Sequence, residues 1–245
     1  MSSEFNLASR RQEYTFTSTE REVEIGRKIA HRVQEELPLL ADETVQQRVR
    51  GIGERIAAVC DRRELVYSFA VVEGKEVNAF SLPGGYVFVN EELVKAAATD
   101  DELAGVIAHE VAHITARHAV KRYEAGLGAQ LLQLAALTAR QGEAAGGLSI
   151  AAQATQLAYA RQDELEADQL AVKYMKAAGY DPEAVIAFLE KLGELPDDPP
   201  TYMPRGIVRP RYAFTHPYVP ERLRAVKEAL FGVADYVDYL NTPTQ

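Results

Sequence analysis

The stretch LAGVIAHEVAHITARHAV, residues 103–120, decides how this chain reads. Val106, Ile107, Val111, Ala112 and Ile114 recur at helical spacing and are apolar, which predicts a buried helix. Thr99 and Glu102 form a capping box that opens it. Three of the chain's five histidines nevertheless fall inside it, and Glu110 directly follows His109. At about 100° per residue, His109 and His113 point within about 40° of each other, one turn apart. Their imidazoles can therefore meet one ion. Glu110 lies about 100° further round, near enough to hold a water on that ion without ligating it. This is the H-E-x-x-H arrangement of zinc hydrolases, which needs neutral nitrogen ligands, an open position for water and a carboxylate as general base. The competing reading is an accidental pair of core histidines. Against it, a buried His-Glu-x-x-His without an ion leaves costly polar groups unpaired.

The third ligand must come from elsewhere. The metzincin pattern would require Gly and His where Ala116 and Ala119 stand. His118 is one residue short of that place. On a continuous helix it lies about 180° from His109, so it reads as structural. The best source is YARQDELEADQLAVKYMKAAGYDP, residues 159–182. Glu164 and Asp168 are spaced i, i+4 on one helix face. Glu164 can reach the metal. Asp168 can then accept a hydrogen bond from the outer nitrogen of a ligating histidine and fix its tautomer. The alternative is a solvated acidic face made by Asp163, Glu164, Glu166 and Asp168. Glu164 follows His113 by 51 residues, which fits a helix, a connecting hairpin and a second helix returning antiparallel.

Outward from this centre, residues 1–18 read as an N-terminal arm and 19–240 as a single domain. A box of Thr19 and Glu22 opens a first helix that stops before Pro38. His31 lies on it as a surface histidine. Asp42 caps a second helix, 43–60, with Val45, Val49, Ile52, Ile56 and Val59 on one face. ELVYSFAVV and KEVNAFSLPGGYVFVN then predict strands around a Pro-Gly-Gly turn at 83–85, giving a small, mainly antiparallel sheet. Residues 125–160, rich in Ala, Gln and Gly, read as two helical pieces around a Gly-rich break, and as the candidate for peripheral contact with a membrane or an envelope protein. A helix over about 158–178 ends at Gly179, and Asp181 and Pro182 start another. Residues 194–220 hold seven prolines and form an extended connector, long enough to suggest a functional role. A last helix runs from 221. The fold class is α+β, mostly helical.

The net charge of −9 argues against a nucleic-acid partner, and the sequence CDRR at 60–63 reads as a solvated loop. Cys60 is the only cysteine, so there is no internal disulfide. No run of about 18 apolar residues is present, so no transmembrane segment is expected. The start has no apolar core of the signal-peptide kind. Two readings stay open: a cytoplasmic protein, or one whose leader has been removed.

Five ordered motifs, spread over residues 20–235, resemble the zinc metallopeptidase family that includes HtpX, BepA and the CAAX prenyl proteases. They are NAFSLPGGYVFV at 78–89, AHEVAHITARH at 108–118, RQDELEAD at 161–168, AAGYDP at 177–182 and FTHPYVPER at 214–222. Ala160 and Ala171 depart from the family's usual Ser and Gly. The resemblance implies a zincin-like (gluzincin) domain binding one Zn2+ through His109, His113 and Glu164, with Glu110 as general base and Asp168 behind the ligands. It implies that Asn78, Ala79, Phe80, Ser81 and Leu82 form the edge onto which a substrate backbone adds, a mode suited to unfolded polypeptides. It implies that His216 can occupy the open metal position, leaving the enzyme latent, where the residues alone suggest a turn histidine beside Pro217. Arg222 resembles a family arginine near the active site that holds the oxyanion, against an ordinary helix-start arginine. It further implies an endopeptidase of the periplasm or cell envelope that acts on misassembled proteins. A different class remains beside it: a metal-stabilised chaperone or assembly factor with little proteolysis. A purely structural zinc protein is a poorer fit, because such sites favour four Cys or His ligands.

Overall fold

The computed structural model describes residues 2–6, 11–124, 161–193, 201–202, 208–209, 216 and 219–231. The expected helical pieces at 125–160 and most of the 194–220 connector lie outside these. The N-terminal arm forms an antiparallel pair of strands, β1 (Ser2–Asn6) and β2 (Arg11–Thr15).

Helix α1 (Thr19–Glu36) is capped by Ser18, one residue earlier than the sequence suggested; Ser18 Oγ accepts from the Arg21 amide at 3.3 Å. Glu22, expected to complete the box, turns inward instead. It is buried, takes Arg62 Nη1 at 3.0 and 3.2 Å, and lies 3.1 Å from Arg117 Nε. Arg62 is therefore not in a solvated loop but a buried member of this ion cluster. His31 is exposed on α1. Helix α2 (Glu43–Ala57) is capped by Asp42, as its sequence foretold.

The sheet comprises β3 (Ser68–Val72), β4 (Ala79–Leu82) and β5 (Tyr86–Asn90), in the order β3-β5-β4. β4 and β5 are an antiparallel hairpin around the Pro-Gly-Gly turn, where Gly84 and Gly85 take φ of 79° and 105°. β3 runs parallel to β5, so the sheet is mixed rather than mainly antiparallel. The chain between β3 and β4 crosses over and leaves β5 in the centre. Side chains alternate by face. Ala70, Val72, Phe80, Leu82 and Phe88 pack with Ile29 and Val33 of α1. Phe69, Val71, Ala79, Val87 and Val89 join the main core with α2 and the later helices. Gly26 of α1 approaches the turn so closely that a Cβ there would stand 1.7 Å from the Pro83 carbonyl oxygen.

The two sheet edges differ. Outside β3, Leu40 N–H and Gln46 Nε2 donate to Val71 O at 3.0 and 2.8 Å, and the Val71 amide donates to Gln46 Oε1 at 2.9 Å. A side-chain amide thus completes that edge. β4 has β5 as its one strand neighbour and forms the other edge among the described residues.

After α3 (Glu91–Ala96), helix α4 (Asp100–Thr115) starts at Thr99, whose hydroxyl accepts from the Glu102 amide at 3.1 Å. Every residue from Glu102 to Thr115 is buried. The helix does not run on through 120. Arg117 takes φ 55°, and a separate turn of helix, α5 (His118–Arg122), follows in a new direction. A non-glycine residue in that region costs roughly 1–2 kcal/mol. The cost is offset by the Glu22 pairing and by Arg117 Nη2 donating to Thr17 O at 2.7 Å.

Helix α6 (Arg161–Ala178) packs along α4 and ends at Gly179, φ 77°, where Tyr180 N–H donates to Met175 O at 3.0 Å. Helix α7 (Ala184–Gly193) closes on α4. A short antiparallel pair, β6 (Thr201–Tyr202) and β7 (Val208–Arg209), falls within the connector. Helix α8 (Val219–Phe231) packs on α6 and α7. No described helix is long and apolar enough to cross a membrane.

Candidate metal centre

α4 and α6 lie side by side, and their facing surfaces carry the titratable groups singled out in the sequence. His109, His113, Glu164 and His216 are all buried and bring one donor atom each within 4.8 Å of one another. His109 Nε2 stands 3.0 Å from His113 Nε2, 3.3 Å from His216 Nδ1 and 3.4 Å from Glu164 Oε2. Glu164 Oε1 is 3.5 Å from His113 Nε2 and 3.2 Å from His216 Nδ1. A tetrahedral ion with ligands at about 2.0–2.1 Å has donor-to-donor edges of about 3.3–3.4 Å. The separations of 3.0–3.5 Å between these donors are close to that edge length, the Glu164 carboxylate meeting His109 with one oxygen and His113 and His216 with the other. Glu164 Oε2 is buried and accepts no hydrogen bond among the described residues. The donor set thus fits a divalent cation held by two or three imidazoles and a carboxylate.

Around these donors the charges do not balance. Glu110, Glu164 and Asp168 are buried carboxylates, and Arg222 is the buried cation beside the last two. Burial pushes the Glu110 carboxyl up, but His216 and the two helix histidines outweigh it and lower it to about 2. Asp168 is likewise lowered to about 2, burial being overcome by Arg222 and His109. Glu164 is held well below the carboxylate range by His216 and Arg222 against the same burial. His216 is raised to about 9, since Glu164 and Glu110 overcome a burial that disfavours its charge. Burial drives His113 well below its ordinary value, which keeps its imidazole neutral.

The residues behind the donors are equally specific. His109 Nδ1 is 2.8 Å from Asp168 Oδ1, the relation expected from the i, i+4 spacing of Glu164 and Asp168. Arg222 is 1% exposed. It donates from Nε and Nη2 to the two Asp168 oxygens at 2.9 and 2.8 Å, and from Nη1 to His216 O at 3.3 Å, with Glu164 Oε2 3.2 Å away. The guanidinium thus ties Asp168 and Glu164 of α6 to the His216 carbonyl. Ser81, on the α4-facing side of β4, donates from Oγ to Glu110 Oε2 at 2.8 Å. Glu110 Oε1 faces His216 Nε2 at 3.2 Å.

A family-wide comparison agrees with this centre: the profile described as Peptidase family M48 matches residues 43–230. The chain belongs to peptidase family M48. Among curated M48 relatives, the Beta-barrel assembly-enhancing protease of Escherichia coli K12 is 28% identical over 213 residues, 82% of this chain and 42% of the relative. The mitochondrial metalloendopeptidases OMA1 of Arabidopsis thaliana and Schizosaccharomyces pombe are 30% and 31% identical, covering 78% and 74% of this chain. The chain spans 37–52% of the length of these M48 relatives.

Of the substrate-strand candidates, Ala79 to Leu82 form the edge strand β4 and Asn78 precedes it, its carbonyl accepting from Asn90 N–H at 2.9 Å. Two contacts around the M48 centre are not readable from the sequence. The Ser81 hydroxyl on Glu110 carried no signal beyond strand alternation, which puts residue 81 on the α4 face. His118 was placed on the far side of a continuous helix. The break at Arg117 instead brings its Nδ1 within 2.8 Å of His113 Nδ1.

Proposed function

We propose that the protein is a zinc-dependent endopeptidase that cleaves unfolded or misassembled polypeptides in the cell envelope, and that His216 keeps it latent at rest. The convergence of His109, His113 and Glu164 on one point, with Glu110 beside it, carries this reading. A bound zinc supplies the Lewis acid that polarises the scissile carbonyl and acidifies a water. Glu110 is the general base: Ser81 holds Oε2, leaving Oε1 to take the proton and pass it to the leaving amine. Asp168 fixes His109 with its proton on Nδ1, which leaves Nε2 as the metal donor. Arg222 holds Asp168 and Glu164 in place.

Substrate docks as an added strand on β4, residues 78–82, because Gln46 and Leu40 seal the opposite edge. Backbone pairing of that kind reads main chain rather than sequence. The relatives are named a beta-barrel assembly-enhancing protease and mitochondrial metalloendopeptidases, which supports a protease; the cell envelope is the location proposed for this chain. His216 supports latency: one ring nitrogen stands among the donors and would take a position that a water needs on the metal, and the other faces the general base. The same closed site favours a second reading, a metal-stabilised chaperone that rarely cuts.

Metal analysis beside casein degradation tests the proposal, run on the wild type and on His216→Ala with and without chelator. One zinc per chain and chelator-sensitive cleavage are expected. Absence of stoichiometric metal, or cleavage that persists in Glu110→Gln, would refute the protease; retained binding of unfolded casein without cleavage in either form would favour the chaperone.

A further inference from the structure

We infer that His118 and Glu166 are positioning residues for His113, an inference resting on the metal reading above. His113 Nε2 points at His109 Nε2 and Glu164 Oε1, so that nitrogen is the metal donor and the ring proton sits on Nδ1. The Nδ1 atom stands 2.8 Å from His118 Nδ1, and the two rings meet at 68°. Two ring nitrogens at that distance share one proton. His113 donates and His118 accepts. The proton of His118 is then on Nε2, which faces Glu166 Oε2 at 3.3 Å, with Asp163 Oδ1 at 3.8 Å. His118 is 0% exposed, and Glu166 Oε1 is buried without a hydrogen bond among the described residues.

The two ligand imidazoles are thus oriented by one helix in two ways. Asp168 of α6 takes the His109 proton directly; Glu166 of α6 takes the His113 proton through the ring of His118. The left-handed residue Arg117 makes the second path, because it redirects the chain just before residue 118. A non-glycine residue in that conformation persists only where its surroundings hold it, and Glu22 and Thr17 O do so. An outer partner of this kind fixes ring rotation and tautomer, and its loss typically weakens metal binding about 10–100-fold.

The test is zinc affinity, read by chelator competition on wild type, His118→Phe, His118→Asn and Glu166→Gln, each checked for native circular dichroism without metal. Phe fills the volume but accepts no proton; Asn places an acceptor oxygen near the former Nδ1. His118→Phe should weaken zinc binding about 10–100-fold, His118→Asn should recover most of it, and Glu166→Gln should lose less in the same direction. Equal affinity of His118→Phe and wild type overturns the inference, as does Asn binding no better than Phe. Should Phe fail to fold, imidazole nitrogen resonances of the zinc-loaded wild type decide. Protons on Nδ1 of His113 and Nε2 of His118 support it; a proton on Nδ1 of His118 overturns it. A wild type that binds no zinc through His109, His113 and Glu164 overturns the metal reading itself.

Discussion

His216 meets Glu110 across the floor of the centre, Nε2 to Oε1 at 3.2 Å, while its Nδ1 looks the other way to His109 Nε2 at 3.3 Å. One ring therefore contacts both Glu110 and the donor cluster. If the site is closed in about nine molecules of ten, the rate falls about tenfold. His216→Ala should raise casein cleavage by about that factor at unchanged zinc content; unchanged or lower cleavage would remove latency from the account.

Glu110→Gln separates chemistry from metal holding. The amide keeps the shape and can still meet Ser81, but it cannot take a proton. Cleavage should fall by about 10²–10⁴-fold while zinc stoichiometry stays at one. Loss of zinc from this variant would mean that Glu110 helps to hold the ion.

Arg222 and Asp168 form a buried pair with two hydrogen bonds. Removing the cation leaves Asp168 and Glu164 uncompensated, so Arg222→Ala should lose about 3–5 kcal/mol of stability by denaturant titration. Zinc affinity should fall with it. A variant of native stability whose defect is confined to turnover would favour an oxyanion role instead.

How much of this was readable beforehand varies with the kind of signal. The metal helix and α6 announce themselves because their groups repeat at helical spacing. The β4–β5 hairpin does so because two glycines supply the positive φ of its turn. What failed depends on partners far apart in the chain. Nothing local marks Arg117 as left-handed, since its support comes from Glu22 and Thr17. With the helix drawn unbroken, His118 had to fall on the wrong side. Arg62 looked solvated for the same reason, its carboxylate lying 40 residues earlier. The parallel pairing of β3 and β5 follows from a crossover that strand alternation cannot reveal.

Cys60 is 1% exposed and its Sγ contacts Ala57 O and Tyr67 Oη at 3.3 and 3.4 Å. Burial pushes its thiol up, so less thiolate is present at pH 8 than on a free cysteine. The folded protein should react with a disulfide reagent at least about 100-fold more slowly than the chain in guanidinium. Rapid labelling of the folded protein would mean that the α2 end opens readily.

Gly26 leaves no room for a side chain beside the Pro83 carbonyl. Gly26→Ala should cost about 1–3 kcal/mol, seen as a lower melting temperature, despite alanine's better helix propensity. A higher melting temperature would show that the β4–β5 turn can retreat from α1.

The groups of the centre enter the chain in a long procession, from Ser81 through the histidines of α4 and the carboxylates of α6 to His216 and Arg222. A nascent chain still on the ribosome, ended between His113 and Glu164, holds two imidazoles of the centre and not its carboxylate donor. The proposed centre can form only after α6 has been made, so a shorter nascent chain lacks its anionic donor.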